Sequence, residues 1–147
     1  GDSVPVLLIL PGEASATNKV PGVVVLHGKG GRIEEMLIVG QFLATRGYAS
    51  VIPEIVGHGA RRTAGAPNLF GGEANPLREG IIESVQDIRR AVDLLTQQPE
   101  VDASRIGLTG YSLGAILGTM VTAVEPRIQT SVLVVGGGDW KTILGQS

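Results

Sequence analysis

The sequence predicts a three-layer αβα sandwich built on a mostly parallel sheet, and three observations carry that prediction. Short apolar runs rich in valine, isoleucine and leucine alternate with longer stretches whose apolar residues recur every three or four positions. The 22 glycines among 147 residues gather at the junctions between those segments rather than inside them. No repeat, linker or compositional break divides residues 1–147, which therefore read as one domain. Strands alternating with helices make βαβ units, and such units place their strands side by side in parallel.

Val4 to Leu10 is apolar, with Pro5 near its start and Pro11-Gly12 at its end, and reads as an early strand near a sheet edge because proline cannot donate to a ladder. Val23-Val24-Val25-Leu26, opened by Pro21-Gly22 and closed by His27-Gly28, is continuously apolar, the pattern of a strand buried on both faces. Glu34 to Thr45 follows as a helix with Leu37, Ile38, Gln41, Phe42 and Leu43 on one stripe, and Arg46-Gly47 ends it. Tyr48 to Ile52 is the next strand, stopped by Pro53. Glu54 to Arg78 has little periodicity and much Gly, Ala, Pro and Asn, so it reads as a long loop of the kind that carries function. Ile81, Val85, Ile88, Val92 and Leu95 stripe a helix from about Glu79 to Gln98, and Pro99 stops it. Asp102 to Ser104 reads as a turn, Arg105 to Thr109 as a strand, and Leu113 to Val124 as a helix. Thr130 to Val135 is the last strand, left through Gly136-Gly137-Gly138-Asp139.

Composition narrows the function classes. Twelve Lys and Arg stand against 14 Asp and Glu, a net charge of −2, and no basic run is long enough to track a phosphate backbone or an anionic bilayer. Nucleic acid and membrane partners are not expected. The apolar runs fall far short of the ~20 residues of a membrane span. Without cysteine there is no disulfide framework, thiolate zinc site or cysteine nucleophile, and no carboxylate and histidine group has metal-ligand spacing, so neither metal nor cofactor is expected. The compartment stays open between cytoplasm and export, with a slight lean to the cytoplasm.

Gly110-Tyr111-Ser112-Leu113-Gly114 fits G-x-S-x-G, in which two glycines let a strand turn sharply into a helix and leave the serine exposed. Chance would place this pattern in about one chain of this composition in six, so its position between a strand and a striped helix carries the argument. The bland alternative makes Ser112 an ordinary helix cap. His27-Gly28-Lys29-Gly30-Gly31 follows the most apolar strand and precedes a helix, which points its backbone N–H groups into the crevice where α/β proteins bind ligands. In an acyl-transfer enzyme that loop and the N–H of Leu113 would form an oxyanion hole. As a dinucleotide fingerprint the loop fails, because Ile33 stands where the third glycine belongs.

Together, Val23 to Gly28, Gly47-Tyr48 before a strand, Pro53-Glu54 through Gly57-His58-Gly59-Ala60-Arg61, and Val101-Asp102-x-x-Arg105-Ile106-Gly107-x-x-Gly110-x-Ser112-x-Gly114 resemble the α/β-hydrolase superfamily. Within it the chain is similar to the dienelactone-hydrolase-like and short-chain acyl esterase branch, from about Val4 to Val135. The resemblance implies Ser112 as nucleophile, oxyanion donors from the backbone of Leu113 and of Lys29 or its neighbour, and a small-molecule acyl ester as substrate. The superfamily orders its triad as serine, acid, histidine. This sequence has no histidine after His58, and it ends twelve residues after Val135 where relatives continue for two more strands, so the fold is expected to be incomplete at its C-terminal side.

Asp139 is the candidate acid, placed one strand early, with a solvated turn residue as the alternative. His27 and His58 are the candidate bases. The alternatives are that His27 orders the oxyanion loop and that His58 bonds within its own loop. Tyr111, beside the serine, and Gly28, on the loop after the apolar strand, are candidates for substrate contact, Tyr111 as pocket wall or as packing. Arg61-Arg62 reads as a solvated pair or as a clamp for an acidic substrate group, and Asp87, Arg90 and Asp93 as a solvated helix face. Three functions follow: a minimal serine esterase, a non-catalytic binding or assembly module, and a chain whose triad is completed by a second polypeptide. The apolar strand 130–135 bears no charge or proline and is expected to pair with another copy or with a complementing fragment.

Overall fold

The structure, a computed structural model, describes residues 3–62 and 74–139. Five strands form one sheet: β1 Val6–Ile9, β2 Val20–Leu26, β3 Ala49–Pro53, β4 Val101–Tyr111 and β5 Ile128–Val134, in the order β1-β3-β2-β4-β5. The last four are parallel, and β1 lies antiparallel on the β3 edge, where Val6 faces Pro53. Three α-helices connect the parallel strands: α1 Leu37–Ala44, α2 Ala74–Thr96 and α3 Leu113–Val124.

Two hydrophobic clusters show the layering. Val24, Leu26 and Val51 of the sheet pack with Ile88, Val92 and Leu95 of α2 and Leu117 and Val121 of α3, so both helices cover one face. On the opposite face Val25 and Ile52 pack with Met36, Val39 and Leu43, so α1 covers β2 and β3 there. The helix stripe read from α2 is the buried one, and the parallel three-layer sandwich is the observed architecture.

Four expectations are corrected. First, α1 is preceded by a 3-10 turn, Ile33–Met36, and buries Gly40 rather than the stripe of Leu37, Ile38 and Phe42, which are exposed. A side chain on Gly40 would collide with Ile9, so glycine lets this face of the helix approach the sheet. Second, α2 starts at Ala74 instead of Glu79; Pro76 sits in its first turn, where a missing N–H leaves no helical bond unmade. The rest of the expected long loop, residues 63–73, lies outside the described residues. Third, Asp102 to Ser104 belongs to β4 as an irregularity, marked by the jump in pairing from Val20 with Val101 to Gly22 with Ile106. There Asp102 accepts from the Ser104 amide and hydroxyl and from Arg105, which holds its carboxyl down at about 2.

Fourth, Arg61 and Asp87 are not solvated. The Arg61 side chain is 9 % exposed and lies 2.7 Å from Glu83 and 2.9 Å from Asp87, whose own side chain is 4 % exposed. The Asp87 contact has ion-pair distance without hydrogen-bond alignment, and Arg61 Nη1 donates to the Glu54 carbonyl at 3.1 Å. Arg62, Arg90 and Asp93 are exposed as read.

Candidate active site

The site is built where β4 passes into α3. Ser112, the single residue between them, has φ 52° and ψ −112°, a left-handed backbone that only a surrounding structure can hold in a residue with a Cβ. Its N–H donates to Val134 O of β5 at 2.9 Å, and its carbonyl accepts from Ala115 and Ile116. Its side chain makes no capping hydrogen bond, so the helix-cap reading does not describe it. The two flanking glycines are demanded by close approach: a Cβ on Gly110 would strike the Gly114 carbonyl, and one on Gly114 would lie 2.7 Å from His27 O. Glycine at both positions therefore brings β4, α3 and the end of β2 together.

That convergence brings Gly28 to the serine. A Cβ at Gly28 would stand 3.1 Å from the Tyr111 ring and 3.5 Å from Ser112 Cβ. Tyr111 is 51 % exposed, which puts its ring at the mouth beside Gly28 and Ser112 rather than in the core. Leu113 opens α3, so its amide is among the donors a helix leaves without an intrahelical acceptor, and the helix dipole points the same way. Lys29 lies on the turn closed by the Gly31 N–H to Gly28 O bond. Beyond it, Gly30 and Gly31 on one side and Gly59, Ala60 and Arg62 on the other line a cavity of about 430 Å³.

The two histidine rings lie close and tilted by 57° to each other, centroids 5.3 Å apart. His27 is fully buried; its Nε2 accepts the Ile55 N–H at 3.1 Å, so Nδ1 carries the proton and donates to Gly28 O at 2.9 Å. Burial holds its pKa below the usual histidine value, which keeps the ring neutral. His58 uses Nδ1 toward Val56 O at 2.9 Å. Among the described residues neither ring hydrogen-bonds Ser112 Oγ. Asp139, exposed, follows the three glycines that leave β5.

One participant went unnoticed in the sequence. Glu54, directly after β3, is 2 % exposed with Oε1 3.2 Å from His27 Nε2. Its signal was its place at the end of an entirely buried strand, where a carboxylate needs a reason.

A model of the family described as dienelactone hydrolase matches residues 5–143. The chain belongs to that family. Among curated proteins, the dienelactone hydrolase family member here is 25 % identical over 134 residues to a Bacillus subtilis (strain 168) protein named "Putative esterase YitV", covering 91 % of this chain and 51 % of that one. It superposes on Est1E from Butyrivibrio proteoclasticus with ferulic acid bound at TM-score 0.70 and 20 % identity, covering 90 % of this chain and 49 % of Est1E. A cold-adapted esterase from an Arctic intertidal metagenomic library gives TM-score 0.67 at 26 % identity, with 87 % and 53 % covered. The chain thus spans about half the length of these relatives.

Proposed function

We propose that this family member carries the nucleophile half of a carboxylic ester hydrolase. Ser112 attacks the acyl carbonyl of a small-molecule ester, the N–H groups of Leu113 and Lys29 receive the developing oxyanion, and water releases the acid from the acyl-serine. Tyr111 and Gly28, side by side, form the substrate wall next to the serine. The observation that carries the reading is the Ser112 backbone, held left-handed at a strand-to-helix turn with its side chain uncommitted and the Gly28 loop beside it. The names and folds of the relatives support the reaction class.

The base is the open half of the machinery. His27 has both ring nitrogens committed to backbone, so of the two candidates His58, with Nε2 not engaged by the described residues, is the one left with a nitrogen to act as base. A serine without its histidine loses on the order of 10⁶ in turnover. A chain with these 147 residues alone is therefore expected to react with a fluorophosphonate, slowly, and to hydrolyse p-nitrophenyl acetate at least ~10³-fold below an intact triad.

Intact-mass measurement of the phosphonylated protein beside Ser112→Ala tests the nucleophile, and an adduct that survives in Ser112→Ala would overturn it. Ester hydrolysis at ordinary rates that His58→Ala abolishes would place the base in this chain. The missing contact between Ser112 and either ring also favours a second reading, in which a second polypeptide brings the histidine. Restoration of turnover by an added C-terminal half of a relative would support it.

A further inference from the structure

Resting on the esterase reading, the further inference concerns the buried Glu54–His27 pair, which that chemistry leaves unused. His27 Nε2 has two neighbours of opposite kind: the Ile55 N–H, which donates to its lone pair at 3.1 Å, and Glu54 Oε1 at 3.2 Å, which can only accept a proton from it. Among the described residues Glu54 Oε1 has no hydrogen-bond donor, although it is buried. Its partner atom Oε2 accepts the Ala60 N–H at 3.3 Å, and a Cβ on Gly59 would run into the carboxyl group, so the chain around it is shaped to admit a carboxylate. Through the other ring nitrogen the same histidine holds Gly28 O. One ring thus ties the 54–60 segment to the loop that carries Gly28 and Lys29, and those two segments are the walls of the 430 Å³ cavity.

We infer that Glu54 is a positioning residue that acts through His27: one proton taken up between Glu54 Oε1 and His27 Nε2 releases the Ile55 N–H and moves the ring's tie to the 54–60 segment from the Ile55 backbone to the Glu54 carboxylate, shifting the oxyanion loop against the cavity wall. In the proton-free state Nε2 accepts from Ile55, and the loop is pinned. When one proton from solvent adds to the pair, the Nε2 lone pair is used for the Nε2–H···Oε1 contact, the pair's charge rises from −1 to neutral, and no other covalent bond changes. Burial opposes this uptake while the Glu54 charge favours it. The other groups facing the ring are His58 from the same segment and Glu35 from the turn before α1; Arg61, held by Glu83 and Asp87 of α2, sits against the Glu54 carbonyl.

The test follows the ring and the loop separately from catalysis. Nitrogen-15 NMR of the His27 ring and hydrogen exchange of the Ile55 amide are measured from pH 4.5 to 8.5 in the wild-type chain, together with the rate of Ser112 phosphonylation. The expected result is a shared midpoint: as pH falls, His27 Nε2 gains its proton, Ile55 exchanges faster and labelling slows. Glu54→Gln removes the charge that favours protonation and is expected to lower that midpoint by about one pH unit in all three readouts. Should Glu54→Gln not fold, the wild-type titration still decides. An Ile55 exchange rate indifferent to the state of the His27 ring would overturn the inference, as would a midpoint unchanged in Glu54→Gln. If His27 and Ile55 titrate together but Ser112 never labels, the nucleophile reading fails and takes the positioning role with it, an outcome distinct from an uncoupled ring.

Discussion

Ser112 shows how much one residue's backbone can say about chemistry. A left-handed serine costs on the order of 1–3 kcal/mol, and three contacts hold it: its amide on Val134 O, and α3 pressed against β4 and β2 through Gly110 and Gly114. These glycines were legible in the sequence because spacing alone requires them. Glu54 was not, because its meaning depends on a histidine 27 residues away. Gly114→Ala should therefore do more harm than its single methyl suggests. That methyl would meet the Leu26 and His27 carbonyls at the end of β2, backbone that cannot step aside, so the variant is expected to lose about 1–3 kcal/mol in urea unfolding and to phosphonylate Ser112 about 10²-fold more slowly.

Far from the site, Glu125 offers a residue-scale test of stability alone. It is buried at the end of α3, and Arg127, then Arg89, hold its carboxyl down at about 2 from an ordinary 4.5. The unfolded chain therefore takes up that proton first. The stabilisation is whole above pH 4.5 and is lost as pH falls toward 2. Glu125→Gln should cost on the order of 2 kcal/mol at pH 7, with the gap to wild type closing across that acid window and Ser112 labelling untouched.

Among the elements, periodicity identified α2 and α3 and their buried stripes, since a large apolar face admits one orientation. It misjudged α1, where apolar residues run almost all round the helix and the close approach at Gly40 chose the inner face. It also missed the tie between α2 and the segment after β3, because an arginine in a glycine-rich loop and an aspartate on a polar helix face look solvated until they meet. Arg61 now joins the two by reaching Glu83, Asp87 and the Glu54 carbonyl. Asp87→Ala leaves the mostly buried guanidinium short of a charge partner, and a loss of about 3 kcal/mol is expected. Hydrogen exchange should then rise at Arg61 and Arg62 before it rises in β2 or β4. Uniform loss of protection across the sheet would show that Asp87 serves the core rather than this tie.

The whole molecule is asymmetric. β1 closes one edge of the sheet by pairing antiparallel with β3, while β5 pairs on one side only among the described residues. Val132 is 60 % exposed and Val134 44 %, both on the sheet face that α1 covers only over β2 and β3. An uncharged, apolar edge strand with one face bare is a template for another chain, and nothing in its sequence blunts it. The relatives, about twice as long, have the chain with which to cover such an edge. A preparation of these 147 residues alone is therefore proposed to self-associate through β5. Val132→Lys places a charge on that face without touching the Val134 carbonyl that holds Ser112, and it is expected to shift the population toward monomer while leaving phosphonylation unchanged. Sedimentation at micromolar concentration decides the matter: a wild-type species of 15.2 kDa, soluble and unaffected by the lysine, would show that β5 needs no partner.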